Sequence, residues 1–368
     1  MRVLMTTDTV GGVWTFTKEL SSELLTHGCD VALVSLGRLP SAAQQAWAAA
    51  QESRWGSRFR FDASDAPLEW MQDNGRAFRD AEPLLRRVAE EFGPDLLLSS
   101  QFCFGALDCY VPRIVIAHSD VLSWADACRP EGLADSIWLQ TYRTVVSRGL
   151  LQADAVVAPT AWMVHALRKH FAVPETCVVI ANGRSIRPAA RVQSRKLQAI
   201  TAGRLWDEAK NLRILEDVDS PMPVLIAGEA EYESNQLRLG EGNAPLLGAM
   251  GEDELLQLFR ESAIYICTSQ YEPFGLAALE AALCGCAVMA NDIPSLREVW
   301  GDGAAYFCGA ESLTAWLACL GREEWLLRDL QRRSLQRAVQ LTSARMAEGY
   351  MELFRSMRKE AAVGRYVA

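Results

Sequence analysis

Short apolar segments alternate with segments of helical periodicity along most of the chain. In the first half, apolar runs predict strands at Arg2–Thr6, Val31–Leu36, Asp95–Ser99, Arg113–Ala117 and Ala155–Ala158. The spacing of apolar residues predicts helices at Val13–Leu25, Leu84–Phe92 and Ile137–Ala153. Residues 40–82 show neither period, and no element is predicted there. Alternation of this kind indicates a parallel sheet covered by helices on both faces.

The pattern restarts after a polar, basic stretch, Arg184–Lys196, which we interpret as a linker. Strands of a second sheet are predicted at Leu197–Ala202, Val224–Ala227, Ile264–Thr268, Ala287–Ala290 and Ala304–Phe307. Helices are predicted at Asn211–Val218, Glu252–Glu261, Gly275–Leu283 and Pro294–Val299, and from about Glu323 to Arg358. The fold class is therefore α/β, with two doubly wound domains at residues 1–183 and 184–344. Ligands of such sheets bind beyond the carboxyl ends of the strands, which we expect to face a cleft.

The last segment, residues 345–368, is predicted to be a helix that returns to the first domain. Its apolar residues recur at spacings of three and four, which makes an amphipathic stripe: Met346, Tyr350, Leu353, Phe354 and Met357. Because the second sheet already has helices assigned to it, we expect this stripe to be buried against the N-terminal domain. A helix docked wholly on the second domain is the alternative.

The composition excludes several classes of protein. The chain has 368 residues, half of them hydrophobic, and 37 basic against 46 acidic side chains. A net charge of −9 argues against binding to nucleic acid or to an anionic membrane, although it allows a local basic pocket for a small phosphorylated ligand. No run approaches the roughly 18 apolar residues of a membrane span, and the N-terminus lacks the apolar core of a signal peptide. We expect a cytoplasmic protein with at most peripheral membrane contact.

The ten cysteines include no Cys-x-x-Cys pair. They are interpreted as buried free thiols, and no zinc site is predicted.

A pair of glycines, Gly11 and Gly12, separates the first predicted strand from the first predicted helix. Glycines let backbone approach a ligand, and the free N–H groups of a helix start suit phosphate, although a plain tight turn explains the pair equally well. The second strand is followed by Ser35-Leu36-Gly37, without the acid that would hold the ribose of a dinucleotide. A nicotinamide-dependent dehydrogenase is therefore disfavoured.

Two cations, Arg204 and Lys210, follow the predicted strand that ends at Ala202. Arginine can bind a phosphate through two parallel hydrogen bonds and lysine acts as a point charge, so the pair could clamp a diphosphate. Two solvated surface cations are the alternative.

Two acids, Glu272 and Glu280, flank a predicted helix start, since Pro273 ends the preceding strand and Gly275 opens the helix. They do not share a helical face, so one could contact a transferred group and the other a ribose, with phosphate at the helix N-terminus between them. A surface acid and a helix-stabilising acid are the alternative. A glycoside hydrolase needs both acids across one bond, which this arrangement does not provide.

His118 stands in Ala117-His118-Ser119-Asp120, at a predicted strand end. His118 could be a residue of the functional site or a structural histidine, and the sequence does not distinguish the two.

Six segments, in this order, resemble glycosyltransferase family 4: GGVWTFTKEL, AHSD, VIANGR, AGRLWDEAKN, IAGE and EPFGLAALEAA. The resemblance extends from Met1 to about Arg358 and implies a retaining enzyme of the GT-B fold that uses a nucleotide sugar. It departs from the family at Ser99-Ser100-Gln101, where many members have His-x-Asn, and at Asn182-Gly183-Arg184-Ser185, where many have Asn-Gly-Val-Asp.

The resemblance implies catalytic roles for four residues. Glu272 and His118 would lie near the donor sugar, and Arg204 and Lys210 would bind the diphosphate. Glu280 would bind the ribose. Further donor contacts are implied at Gly11, Gly12, Gly248, Met250, Phe274, Gly275 and Leu276.

We therefore expect transfer of a hexose from a nucleoside diphosphate sugar, of the UDP-glucose or GDP-mannose type, to an unknown acceptor, forming an α-glycoside. The acceptor could be a sugar, a lipid-linked sugar or a small molecule. No cofactor and no metal are implied, and no nucleic acid partner. The alternatives are a non-catalytic protein that binds sugar nucleotides and a sugar-nucleotide epimerase of the same fold.

Overall fold

The computed structural model describes residues 1–189, 195–232, 235–236 and 245–367, with side chains up to Met357. These residues form two compact units. The first unit consists of residues 1–125 and 131–183 together with the chain from Ser343 onward. The second unit consists of residues 126–130 and the described part of 184–342.

The first unit contains a seven-stranded parallel sheet in the order β3-β2-β1-β4-β5-β6-β7. Its strands are β1 (Arg2–Asp8), β2 (Asp30–Leu36), β3 (Phe59–Ala63), β4 (Leu96–Ser99), β5 (Arg113–Ile116), β6 (Ala155–Ala158) and β7 (Cys177–Val179). All four residues of β4 and of β6 are buried, as expected for strands covered by helices on both faces.

Among the described residues, seven α-helices belong mainly to this unit. They are α1 (Gly12–Thr26), α2 (Ala42–Trp55), α3 (Ala77–Phe92), α4 (Val121–Cys128, which passes into the second unit at Asp126), α5 (Ile137–Gln152), α6 (Ala161–His170) and the last helix, α12 (Ser343–Val367). The five stripe residues of α12 are all buried. Its Tyr350 ring lies 6.1 Å from the Phe16 ring of α1, and Ser343 Oγ donates to Glu23 Oε1 at 2.9 Å.

The second unit contains a five-stranded parallel sheet in the order β14-β13-β12-β8-β9 and a two-stranded antiparallel ladder, β10-β11. The strands are β8 (Lys196–Arg204), β9 (Val224–Glu229), β10 (Glu231–Tyr232), β11 (Asn235–Gln236), β12 (Ser262–Cys267), β13 (Ala287–Asn291) and β14 (Ala304–Phe307). The helices are α7 (Glu252–Glu261), α8 (Leu276–Leu283), α9 (Pro294–Trp300), α10 (Gly309–Arg322) and α11 (Glu324–Ala338). The predicted α/β class with two parallel sheets is confirmed.

The structure corrects the sequence prediction in several places. Helices α4 and α10 and strand β7 have no counterpart among the predicted elements. Residues 40–82 contain α2, β3 and the start of α3. Ser41 caps α2 by accepting from the Gln44 N–H, while the Gln44 side chain accepts from the Ser41 N–H. The predicted helix at Asn211–Val218 is a 3₁₀ helix at Leu212–Asp217, which follows Asn211 in a left-handed conformation (φ 48°). Arg184, at the start of the predicted linker, is buried in the second unit.

Candidate functional site

An ion pair joins Lys210 to Glu272 in the second unit. Lys210 Nζ lies 2.6 Å from Glu272 Oε2, and the two side chains are 21% and 16% exposed. Thr268 Oγ1, just after β12, donates to the Lys210 carbonyl at 2.5 Å and fixes the backbone that carries the lysine. Burial by itself would lower the pKa of Lys210, but the Glu272 carboxylate raises that pKa above its ordinary value. Lys210 therefore keeps its charge in a largely buried position.

Glycines bring the ends of β8 and β9 close to this lysine. A Cβ on Gly228 would lie 1.9 Å from the Gly203 carbonyl oxygen, so only glycine fits there. The Gly228 N–H donates to the Gly248 carbonyl at 2.8 Å, which connects the end of β9 to the segment that holds Gly248 and Met250, two of the implied donor contacts. In that segment Gly248 is exposed and Met250 is half-buried against the core.

Arg204 lies at the end of β8 and is the more exposed of the two cations. Its Nη2 is 2.8 Å from Asp207 Oδ2, and its guanidinium is 5.5 Å from the centre of the Trp206 ring. Asp207 Oδ1 also accepts from the Ala209 N–H at 3.0 Å, which starts the turn that leads to Lys210. The charge of Arg204 acts to lower the pKa of Lys210, so the two cations interact electrostatically.

The start of α8 depends on Gly275. This residue is left-handed (φ 90°), and a Cβ there would lie 3.4 Å from Glu272 Cγ. Phe274 is buried in the core, whereas Leu276, the first residue of α8, is half-buried. The left-handed turn directs the chain into α8 while Glu272 stays in the loop, as the sequence predicted.

Glu280, on α8, is paired with a buried arginine. Arg184 Nε lies 2.9 Å from Glu280 Oε1, and the side chains are 2% and 12% exposed. Arg184 Nη2 also lies 2.6 Å from Glu252 Oε1, at the start of α7. The sequence did not predict this contact, although Arg184 stands where the chain departs from the family pattern.

The remaining predicted site residues, Gly11, Gly12 and His118, lie in the first unit. Gly11 is left-handed (φ 64°) and precedes α1, which begins at Gly12. The His118 ring packs 4.7 Å from the Phe16 ring, and its Nε2 lies 3.2 Å from Ser100 Oγ. Burial lowers the pKa of His118 to about 4, so the ring is neutral at neutral pH. The roles assigned to these and the other site residues stay predictions.

Sequence analysis also missed a buried acid of the first unit, Glu69. Its Oε1 accepts from the Phe102 N–H at 2.7 Å, and its Oε2 lies 3.6 Å from Cys103 Sγ. Burial raises the pKa of Glu69 to about 7. The available signal was an isolated acid beside Leu68, in a stretch where no element had been predicted.

Within the described ranges, the histidine, cysteine, aspartate and glutamate side chains form no group of three or more that could hold a metal ion. Nor does any helix there have the length and apolar character needed to cross a membrane.

Two family models match the chain. The model of Glycosyltransferase Family 4 matches residues 10–186, and that of Glycosyl transferases group 1 matches residues 199–321. Among curated proteins, an uncharacterized 41.2 kDa protein in the cps region of Klebsiella pneumoniae is 32% identical over 117 residues, 30% of this chain. The O-antigen chain mannosyltransferase B of Escherichia coli is 33% identical over 86 residues, 22% of this chain. The matched segments span only 32% and 23% of the lengths of these relatives.

Solved structures resemble the chain over nearly its whole length. Sucrose-phosphate synthase from Thermosynechococcus elongatus has a TM-score of 0.80 at 16% identity and covers 98% of this chain and 100% of its own. Anabaena HepE in complex with UDP-glucose has a TM-score of 0.72 at 16% identity, with coverages of 97% and 100%. At these identities the similarity shows the fold, that of the GT-B glycosyltransferases with two Rossmann-like domains.

The first matched region lies mainly in the first unit and the second lies in the second unit. Together they include the predicted site residues Gly12, Arg204, Lys210, Glu272 and Glu280. The predicted resemblance is therefore confirmed, and the chain belongs to glycosyltransferase family 4.

Proposed function

We propose that the protein transfers a hexose from a nucleoside diphosphate sugar to an acceptor hydroxyl, with retention of the anomeric configuration. The observation that carries the proposal is the Lys210–Glu272 pair between the end of β8 and the start of α8, with Arg204 beside it. This arrangement combines cations for a diphosphate with a carboxylate for a sugar. Membership in the family supports the same reaction class.

In the proposed reaction the bond between the anomeric carbon and the phosphate oxygen breaks, and the acceptor oxygen bonds to the anomeric carbon from the same face. The acceptor proton passes to the departing phosphate, so no protein nucleophile is needed. Lys210 and Arg204 stabilise the negative charge that develops on the leaving diphosphate. Glu272 orients the sugar, and Glu280 accepts hydrogen bonds from the ribose hydroxyls.

We propose that no metal takes part, because the two cations and the N–H groups at the start of α8 can neutralise the diphosphate. Turnover in excess EDTA should then equal turnover with added Mg²⁺. A loss of activity in EDTA that Mg²⁺ restores would contradict this part of the proposal.

Two donors are tested first, UDP-glucose and GDP-mannose. Their choice is supported by HepE, which was solved in complex with UDP-glucose, and by relatives named mannosyltransferase. A nucleotide sugar at 100 times its dissociation constant should stabilise the folded chain by about 2.7 kcal/mol, which a thermal-shift measurement detects. Release of UDP or GDP in the presence of an acceptor mixture then measures transfer, and NMR of the product reports the anomeric configuration.

Absence of both a thermal shift and nucleotide release, with every donor tried, would overturn the proposal. Binding without release under any acceptor would favour the non-catalytic alternative, and a changed sugar that is still attached to its nucleotide would favour an epimerase.

A further inference from the structure

Arg184, near the end of the first matched region, is an almost fully buried cation: its side chain is 2% exposed. Its guanidinium is flanked by Glu280 Oε1 at 2.9 Å and Glu252 Oε1 at 2.6 Å. The Arg184 N–H donates to the Leu341 carbonyl at 3.1 Å, so the backbone is fixed as well. A buried charge costs free energy unless it is paired, which means that Arg184 and the Glu280 carboxylate stabilise each other in this position.

The chemistry of arginine fits the task of orienting a carboxylate. A guanidinium is planar, stays charged at any physiological pH, and directs its N–H groups along fixed directions. A carboxylate has about four acceptor positions on its two oxygens, so it can contact Arg184 and still accept hydrogen bonds from hydroxyl groups. The ion pair of Arg184 Nε with Glu280 Oε1 can therefore hold the Glu280 carboxylate in place.

We propose that Arg184 is a positioning residue for nucleotide recognition: it holds the Glu280 carboxylate in one orientation, so that Glu280 accepts from the 2′- and 3′-hydroxyls of the ribose. This inference rests on the proposed function, in which Glu280 contacts the ribose. Its consequence is that discrimination between a ribonucleotide and a dideoxynucleotide depends on Arg184.

Arg195 provides a matched control, because it joins the same two helices through contacts away from Glu280. Its Nη1 donates to the carbonyls of Phe259 and Arg260 in α7 at 3.3 and 2.6 Å. Its Nη2 donates at 2.6 Å to the carbonyl of Cys284, the residue that ends α8. A purely structural role in holding α7 against α8 would affect Arg184 and Arg195 variants alike, whereas positioning of Glu280 is specific to Arg184.

The experiment uses the full chain and calorimetric dissociation constants for UDP, GDP and the 2′,3′-dideoxy form of whichever binds more tightly. The ribose preference is the ratio of the two dissociation constants. We expect Arg184→Met to reduce this preference by about tenfold, the size of the contribution of a hydrogen bond to a charged group. Arg184→Lys should reduce it less, since the charge remains but the planar fork is lost. Arg195→Met should leave it unchanged even if the melting temperature falls.

A double variant tests whether Arg184 acts through Glu280. In the Glu280→Ala background, Arg184→Met should cause no further loss of ribose preference. An additional tenfold loss there would overturn the proposal, and so would an unchanged preference in folded Arg184→Met, or an equal loss in Arg195→Met. If Arg184→Met does not fold, Arg184→Lys decides, and an unchanged preference in that variant overturns the proposal. Failure of the wild-type chain to bind either nucleotide overturns the proposed function itself, which separates the two failures.

Discussion

Lys210 and Glu272, 62 residues apart in the chain, form a largely buried ion pair with 2.6 Å between Nζ and Oε2. The pair couples the cation assigned to the diphosphate with the acid assigned to the sugar. Because both side chains are largely buried, each charge stabilises the other. Substitution of one residue therefore leaves its partner with an unpaired, buried charge.

Lys210→Ala is expected to reduce turnover by about 10²–10³, because a positive charge that acts on the leaving diphosphate is lost. Steady-state nucleotide release measures the effect, at a temperature where the variant is folded. Lys196→Ala is the control: Lys196 starts β8, the strand that precedes Lys210, is exposed, and pairs with Glu261 at 2.8 Å. Near-normal turnover in Lys210→Ala would exclude the assigned role.

Glu280→Ala and Glu272→Ala should affect nucleotide binding and turnover differently. Glu280 is on α8, so its loss should weaken binding of the free nucleoside diphosphate. Glu272 is in the preceding loop, so its loss should lower turnover of the sugar donor more than it weakens nucleotide binding. Calorimetry with UDP and GDP, combined with turnover, distinguishes the two. An equal loss of nucleotide affinity in both variants would show that the division of roles is wrong.

Gly228→Ala is expected to destabilise the second unit strongly, because the new methyl group would meet the Gly203 carbonyl at 1.9 Å and displace the end of β8. We expect a loss of at least about 3 kcal/mol in the free energy of unfolding, measured by urea denaturation. Gly309→Ala is the control, since Gly309 is also left-handed (φ 80°) but has no atom within 4 Å of the new methyl position. Its cost should be only about 1 kcal/mol. Equal costs at the two positions would contradict the steric explanation.

Glu69→Gln should change how stability depends on pH. The pKa of Glu69 is raised from 4.5 to about 7 in the folded chain, so the protonated form stabilises the fold below pH 4.5. That stabilisation is lost as the pH rises through 7, and the neutral glutamine does not lose it. The free energy of unfolding of the variant minus that of the wild type should therefore increase from pH 4.5 to 8, by about 3 kcal/mol at most.

Denaturation at several pH values checks this expectation, with the same substitution at the exposed Glu90 as the control. A Glu69→Gln difference that is flat with pH would show that Glu69 does not titrate in this range.

Phe354→Ala is expected to lower the free energy of unfolding by about 3–5 kcal/mol, because this fully buried ring of α12 packs 6.1 Å from the Tyr350 ring. Trp325→Ala, at an exposed aromatic residue of α11, should change it little. If Phe354→Ala lowers the free energy of unfolding as little as the control is expected to, α12 contributes little to the stability of the first unit.

The sequence predicted the buried strands well, because short continuous apolar runs such as Ala155–Ala158 are typical of strands that are covered on both faces. The sequence did not predict α2 and β3, which are only weakly amphipathic. In α2 only Ala48 is buried, and β3, at the edge of its sheet, buries only Phe59. The capping signature of Ser41 and Gln44 was a local signal for α2 that the search for apolar periodicity did not use.

The site residues could be located along the chain, but their pairing could not be predicted. Lys210 meets Glu272 because β8 and β12 are neighbours in the sheet, which is a property of the topology. Arg184 has no local pattern that reports burial, and its contact with Glu280 depends on how the chain returns beside α7 and α8. Sequence reasoning therefore identified residue types and loops, while the ion pairs required the three-dimensional structure.

The placement of α12 in the first unit has a consequence for synthesis of the chain on the ribosome. Phe16 of α1 emerges early, but Tyr350, which packs near it, emerges only after the second unit has been translated. At about 5–20 residues per second this interval lasts roughly 20–70 s. The strands of the second sheet can pair during that time, whereas the apolar face of α1 stays uncovered. Nascent chains are therefore most open to chaperone binding or aggregation at that face.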